Sequence, residues 1–106
     1  MTSLHLEKTL SKYINVVRFQ VKLEFKDVIV SKFAAFERPS GYEMGRLIQI
    51  GEFTYCSVGE WDNQESLVNA RLAMIGFLDS VRHMQDEITP ELGVTDPVSG
   101  PVVMEQ

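Results

Sequence analysis

The chain has 106 residues and a mass of 12.0 kDa, which gives room for one domain built around one hydrophobic core. Fifteen acidic residues against ten Lys and Arg residues give a net charge of −5, and this composition argues against a nucleic-acid partner. The single cysteine excludes an internal disulfide and a multi-cysteine metal site, and no stretch has the length of a membrane span or the apolar core of a signal peptide. We therefore expect a cytoplasmic protein with no membrane partner, and the sequence indicates no cofactor.

Residues 1–12 predict an N-terminal arm, and residues 13–106 predict a single domain. The domain begins with a strand from Tyr13 to Lys22, in which apolar positions alternate with polar ones and Asn15 interrupts the apolar row. After this strand the apolar period changes to that of an amphipathic helix from Phe25 to Glu37.

Two further strands, Met44 to Ile50 and Phe53 to Trp61, are predicted to form a hairpin through the two-residue turn Gly51-Glu52. In that register one sheet face carries mainly apolar and aromatic side chains, namely Arg46, Ile48, Ile50, Phe53, Tyr55, Ser57 and Trp61. The opposite face carries Leu47, Cys56 and Val58, and Cys56 is expected to be a small buried residue beneath the helices.

A long helix is predicted from an N-cap at Asp62, with an apolar stripe that extends to Ile88. Gly76, inside this helix, suggests close approach to a neighbouring backbone. Three potential ligands, Asp79, His83 and Glu87, follow at helical spacing, and we interpret them as a solvated charged face rather than a metal site. His5, in the arm, has no predicted role. A last strand is predicted over 101–104.

The predicted order is β-α-β-β-α-β, which defines an α+β, ferredoxin-like plait with a four-stranded antiparallel sheet and both helices on one face. The face with Tyr55 and Trp61 would then be bare, and an apolar face of that size is unusual on a monomer. A second copy of the chain is the natural cover, which would pair two plaits as a dimeric α/β barrel. A pocket in so small a protein is expected between strands and helices or between subunits, and the bare apolar face favours the second place.

The run from Tyr55 to Leu67 resembles the strand-to-helix junction of the antibiotic biosynthesis monooxygenase family, where a strand ends in a pattern of the type W-x-S-x-E-x-hydrophobic. The opening strand and the first helix are also similar. This resemblance implies a dimeric α/β barrel that binds a small apolar or aromatic molecule, in some members as a cofactor-free oxygenase of phenols. The haem-degrading members use a Trp and a His where this chain has Ala70 and Ser80, so the resemblance does not extend to haem degradation.

Asn15 and Tyr55 are the candidate catalytic residues, because each could form a hydrogen bond with a phenol or peroxide oxygen. Candidate pocket residues, of which the first could stabilise an anion, are Arg46, Ile48, Ser57 and Trp61. Purely structural roles remain open for these side chains, as a core anchor, an ion-pair partner or a structural hydrogen bond. Two alternative functions also remain open: a non-catalytic dimer that binds a metabolite, and an assembly module without a ligand.

Overall fold

The computed structural model describes residues 11–106, so most of the predicted arm, including His5, lies outside the described residues. The strands are β1 (Tyr13–Val21), β2 (Tyr42–Gln49), β3 (Thr54–Trp61), β4 (Gln85–Asp86) and β5 (Thr95–Pro101). The helices are α1 (Lys26–Ala34), α2 (Gln64–Asn69) and α3 (Arg71–Val81), with 3₁₀ turns at Leu23–Phe25 and Arg82–Met84.

Within the described range, no helix combines the length and the apolar character needed to cross a bilayer.

The sheet is antiparallel, and its central strand is β1. One edge of β1 pairs with β3, which in turn pairs with β2. Along the other edge, β5 pairs with Tyr13 to Phe19 and β4 with Gln20 and Val21, so β4 and β5 act as one edge strand interrupted by residues 87–94. This is the predicted ferredoxin-like α+β topology, in which the fourth strand lies beside the first.

The last strand was predicted in the wrong place, over 101–104, whereas β5 occupies Thr95–Pro101. The segment from Asp96 to Gly100 has turn-forming residues, but it lies at the edge of the sheet. Pro97 in this segment has no N–H group to donate to a neighbouring strand. An edge strand tolerates this loss, whereas a central strand does not.

The register between β2 and β3 differs from the prediction by one residue. Four residues, Ile50 to Phe53, connect the strands, and the N–H groups of Ile50 and Gly51 both donate to the Thr54 carbonyl, at 2.9 and 3.2 Å. Arg46 therefore pairs with Val58, and Ile48 with Cys56. Because side chains alternate along a strand, this slip moves Arg46 and Ile48 to the face opposite Tyr55, Ser57 and Trp61.

The helices cover the sheet face that holds Tyr55 and Trp61, so the predicted faces of β3 were reversed, whereas those of β2, with Leu47 beneath the helices and Ile48 on the bare face, were right. The core consists of Phe19, Val21, Ile29, Tyr55, Val81 and Met84, with a second cluster of Trp61, Leu67 and Ala70. Each large side chain fully buried here stabilises the fold by about 1.5–3 kcal/mol. Cys56 lies on the other face and is half-buried, so the prediction that it packs beneath the helices was wrong.

The predicted long helix is two helices, which meet at Ala70. The N-cap of α2 is Asn63 and not the predicted Asp62. Oδ1 of Asn63 accepts a hydrogen bond from the Ser66 N–H at 2.9 Å. Because α3 ends at Val81, His83 lies in a 3₁₀ turn and Glu87 in a loop, so the predicted helical spacing with Asp79 does not exist.

We expect Gly76→Ala to stabilise the protein by about 0.5–1 kcal/mol. Gly76 lies inside α3, and no atom lies within 4 Å of the position of an added Cβ, so the close approach suggested by the sequence is absent. Alanine restricts the unfolded chain and favours the helix at this position. Urea unfolding would measure the gain, and a decrease in the free energy of unfolding would contradict this account.

Candidate functional site

A cavity of about 350 Å³ lies inside the single chain, between the helix-covered sheet face and the helices α1 and α3. This volume is at the lower end of the range for small-molecule sites, about 300–1,000 Å³. Of the two places expected for a pocket, this cavity occupies the one between strands and helices, and not the one between subunits that the bare face favoured. The lining residues are Asn15, Val17, Val30, Phe33, Ala34, Phe36, Arg38, Tyr42, Gly45, Arg46, Leu47, Ser57, Val58, Gly59, Met74, Phe77 and Leu78.

The helix side of the cavity is an aromatic wall. The Phe77 ring from α3 meets Phe33 and Phe36, each at a centroid distance of 4.9 Å. Phe36 in turn lies 6.2 Å from Tyr42 at the edge of the sheet. Edge-on and tilted ring pairs of this kind contribute a stabilisation energy in addition to that from the apolar area that they bury. The wall thus offers flat aromatic surfaces to a ligand.

The sheet side carries a buried polar pair, Asn15 and Trp61. Trp61 is 0% exposed, and its indole Nε1 donates a hydrogen bond of 2.7 Å to Oδ1 of Asn15. Because an indole N–H can only donate, the amide oxygen must be the atom that faces Trp61. The amide nitrogen of Asn15 forms no hydrogen bond with another described residue, which leaves its two N–H groups available to an acceptor in the cavity.

Two glycines make room for this pair. Gly45 and Gly59 lie opposite each other on β2 and β3. A Cβ at Gly59 would stand 2.6 Å from Oδ1 of Asn15, and one at Gly45 would overlap the Tyr42 hydroxyl. Real side chains do not approach so closely, so the site depends on both glycines. A glycine inside a strand is the sequence signal for such an approach, and the sequence analysis did not use it.

Tyr42 connects the buried pair to the mouth of the cavity. Its ring contacts Trp61 edge-on at 4.8 Å, and the Arg38 guanidinium carbon lies 5.9 Å from the ring centroid. Burial raises the pKa of the Tyr42 hydroxyl above its usual 10.0, and the Arg38 charge opposes this only in part. The hydroxyl is therefore protonated at neutral pH. Both residues lie outside the elements predicted from the sequence and were not among the predicted site residues.

The structure brings together only some of the predicted site residues. Asn15 and Ser57 line the cavity, and Trp61 holds Asn15. Arg46 also contacts the cavity, although its register position belongs to the other face. Tyr55 is not a lining residue: it is 6% exposed and stacks on Phe19 at 6.0 Å. Ile48, 44% exposed, is on the face without helices.

No protein-family profile and no curated protein matches the sequence. Solved structures do match the fold. SnoaB from Streptomyces nogalater, described as a cofactor-independent oxygenase, is 16% identical over 90% of this chain and 96% of its own, with a TM-score of 0.66. A Chloroflexus aurantiacus protein, provisionally described as an antibiotic biosynthesis monooxygenase, is 13% identical over 91% of this chain and 97% of its own, with a TM-score of 0.69.

A third match is a dimeric ferredoxin-like protein from an uncultured marine organism. It is 11% identical over 95% of this chain and 96% of its own, with a TM-score of 0.66. The resemblance to proteins of the antibiotic biosynthesis monooxygenase type is therefore confirmed in structure. At these identities the likeness establishes the ferredoxin-like α+β fold, and a function does not follow from the fold.

We expect Gly59→Ala to destabilise the protein by about 1–3 kcal/mol, because the added methyl group overlaps the Asn15 amide oxygen. Trp61 is the single tryptophan, so its fluorescence reports directly on this site during urea unfolding. Gly76→Ala, in open space, is the matched control with the opposite sign. Equal effects of the two substitutions would contradict the close approach described above.

Proposed function

We propose that this chain forms a homodimer, that each subunit binds a small aromatic molecule in its cavity, and that a bound phenol or quinol is oxidised there by molecular oxygen without a cofactor. The observation that carries this proposal is the composition of the cavity, which has an aromatic wall on the helix side and the Asn15 amide donors on the sheet side. A mainly apolar site with few placed polar groups is typical of small-molecule binding.

The polar groups of the cavity fit a ligand that presents an acceptor oxygen. Asn15 can donate two hydrogen bonds, and the protonated Tyr42 hydroxyl is a further donor among the lining residues. A phenolate, an enolate or a peroxide oxygen accepts such bonds more strongly than a neutral hydroxyl does. Donors that are fixed before the reaction stabilise the negative charge that develops on that oxygen.

In this chemistry the substrate supplies the electrons and oxygen is the oxidant. For an anthrone, one oxygen atom of O₂ becomes the new ring carbonyl, and the other leaves as water with the two hydrogens of the oxidised carbon. The protein orients the ring against its aromatic wall and stabilises the substrate anion through Asn15. The Trp61 hydrogen bond keeps the Asn15 donors directed away from the indole.

One observation favours a second candidate, binding without turnover. The ionisable side chains that line the cavity, in the part of the chain that the structure describes, are Arg38, Tyr42 and Arg46. None of these is a base at neutral pH, so the proton of a phenolic substrate would have to leave to water. The second candidate is therefore a cavity that binds a phenol without oxidising it.

The proposed homodimer forms through the sheet face that carries no helix. Val98, Val16 and Val58 lie side by side across β5, β1 and β3 on this face. Val98 is 62% exposed and Ile48 44%, and exposed apolar side chains of this kind support an interaction surface, although Arg46 and the Arg18–Asp96 ion pair lie on the same face. A second copy would cover it by two-fold symmetry, as the dimeric character of one comparison structure suggests. A cytoplasmic location, where a single unpaired cysteine such as Cys56 stays reduced, is part of this proposal.

Val16→Lys is expected to convert the dimer into a monomer of 12.0 kDa, because it places a charge at the centre of the apolar face. Leu72→Lys is the matched control: Leu72 is 84% exposed on α3, away from that face, and its substitution should leave the dimer intact. Size-exclusion chromatography with light scattering at micromolar concentration measures both. A monomeric parent protein, or a dimer that survives Val16→Lys, would contradict the proposed interface.

Asn15→Ala is expected to lower the rate of anthrone oxidation by about 10²-fold, the usual effect of removing an oxyanion donor. Oxygen uptake with 1,8-dihydroxyanthrone measures the rate, and circular dichroism confirms folding. Asn69→Ala, an exposed position at the end of α2, is the matched control and should retain the parent rate.

Calorimetric titration of the same compounds separates the two candidate functions. Saturable binding without oxygen uptake by the parent protein would favour the non-catalytic candidate. The absence of both binding and uptake across a panel of anthrones and hydroquinones would contradict the assignment of the cavity as a site for these ligands.

A further inference from the structure

We infer that the ligand of this cavity carries an acidic group, which Arg38 binds at the mouth. This inference rests on the proposed function, because it names the chemical class of the molecule that the cavity holds. It points to a planar aromatic acid, with a ring against the phenylalanine wall and a carboxylate directed toward solvent.

Arg38 stands at the boundary between the cavity and an outer groove. The groove runs along the outside of the cavity and is lined by Ala35, Phe36, Glu37, Arg38, Pro39, Ala73 and Phe77. Three residues line both spaces: Phe36, Arg38 and Phe77. The two phenylalanine rings are 4.9 Å apart and form the apolar part of this boundary. Arg38 is the one cation among these three shared residues, so a molecule that bridges the two spaces meets its charge.

Among residues 11–106, no acidic side chain forms an ion pair with Arg38. The ion pairs in this range involve Lys12, Arg18 and Arg82. The carboxylate of Glu37, the preceding residue, lines the same groove but forms no ion pair with Arg38 within 4.0 Å. The donors of the guanidinium group are therefore free to bind an anion.

Arg38 is an exposed residue that lies beside Tyr42. The guanidinium carbon lies 5.9 Å from the Tyr42 ring centroid, within the range of a cation–π contact. The same ring contacts Trp61 at 4.8 Å, and Trp61 is hydrogen-bonded to Asn15. Tyr42 thus contacts both the Asn15–Trp61 pair and Arg38. One ligand can direct an acceptor oxygen to Asn15 and a carboxylate to Arg38, which a guanidinium recognises with two parallel hydrogen bonds.

The test compares anthracene-2-carboxylate with anthracene-2-carboxamide, a neutral molecule of nearly the same shape, by isothermal titration calorimetry. Because the chain has a net charge of −5, an anion is repelled at long range, and a preference for it requires a local cation. We expect the parent protein to bind the carboxylate at least ten-fold more tightly than the amide. Arg38→Gln should remove this preference while it changes the affinity for the amide by less than two-fold.

Two further variants serve as controls. Arg38→Lys keeps the charge but loses the planar fork, so it should retain only part of the preference. Arg71→Gln removes an exposed arginine at the start of α3, outside both spaces, and should leave the preference unchanged.

Each possible result bears on a different claim. If neither probe binds the parent protein, the proposed function is wrong, and this inference is wrong with it. If both probes bind with equal affinity, the cavity remains a ligand site, and the inference that its ligand carries an acidic group is wrong. If the preference for the carboxylate survives Arg38→Gln, the assignment to Arg38 is overturned.

Discussion

The hydrogen bond from the Trp61 indole to the Asn15 amide oxygen, at 2.7 Å, organises the polar side of the cavity. The bond is possible because Gly59 has no side chain, and a methyl group there would stand 2.6 Å from the amide oxygen. Because the indole can only donate, the bond also decides which end of the Asn15 amide faces the cavity. A buried donor left without its acceptor costs about 1–3 kcal/mol, so stability and site geometry depend on the same contact. Tyr42 packs against Trp61, and the Arg38 guanidinium group lies beside the same Tyr42 ring.

The two faces of the sheet have separate tasks in this account. One face lies beneath α1 and α3 and forms the floor of the cavity, where the helices contribute the aromatic wall. The other face has a row of valines without a helix above it and serves the proposed dimer interface. The residues that line the cavity all belong to one chain, so the proposed ligand site does not depend on the proposed interface. This division shows how 106 residues could supply both.

Much of the fold followed from the sequence, but the register and the faces did not. The alternation from Tyr13 to Val21 located β1 and placed Asn15 in the same row as Val17 and Phe19, which made Asn15 a candidate for the site. The turn residues Gly51 and Glu52 also suit a two-residue hairpin, and local turn chemistry could not reveal the four-residue connection. Both faces are partly apolar, so the pattern could not show which one the helices cover. The contributions of Tyr42 and Arg38 depend on contacts between elements distant in sequence, which a local pattern does not contain.

The central claim is that the ligand lies in the cavity beneath the helices, beside Asn15 and Trp61. The chain has one tryptophan, so a ¹⁵N–¹H spectrum of the protein contains a single indole N–H signal for Trp61. In an oxygen-free titration with 1,8-dihydroxyanthrone, the account predicts saturable shifts of this signal and of the Asn15 side-chain amide, with the methyl signals of Val16 and Val98 unmoved. If the titration saturates with shifts of the Val16 and Val98 signals and none of the indole signal, the ligand does not bind in this cavity.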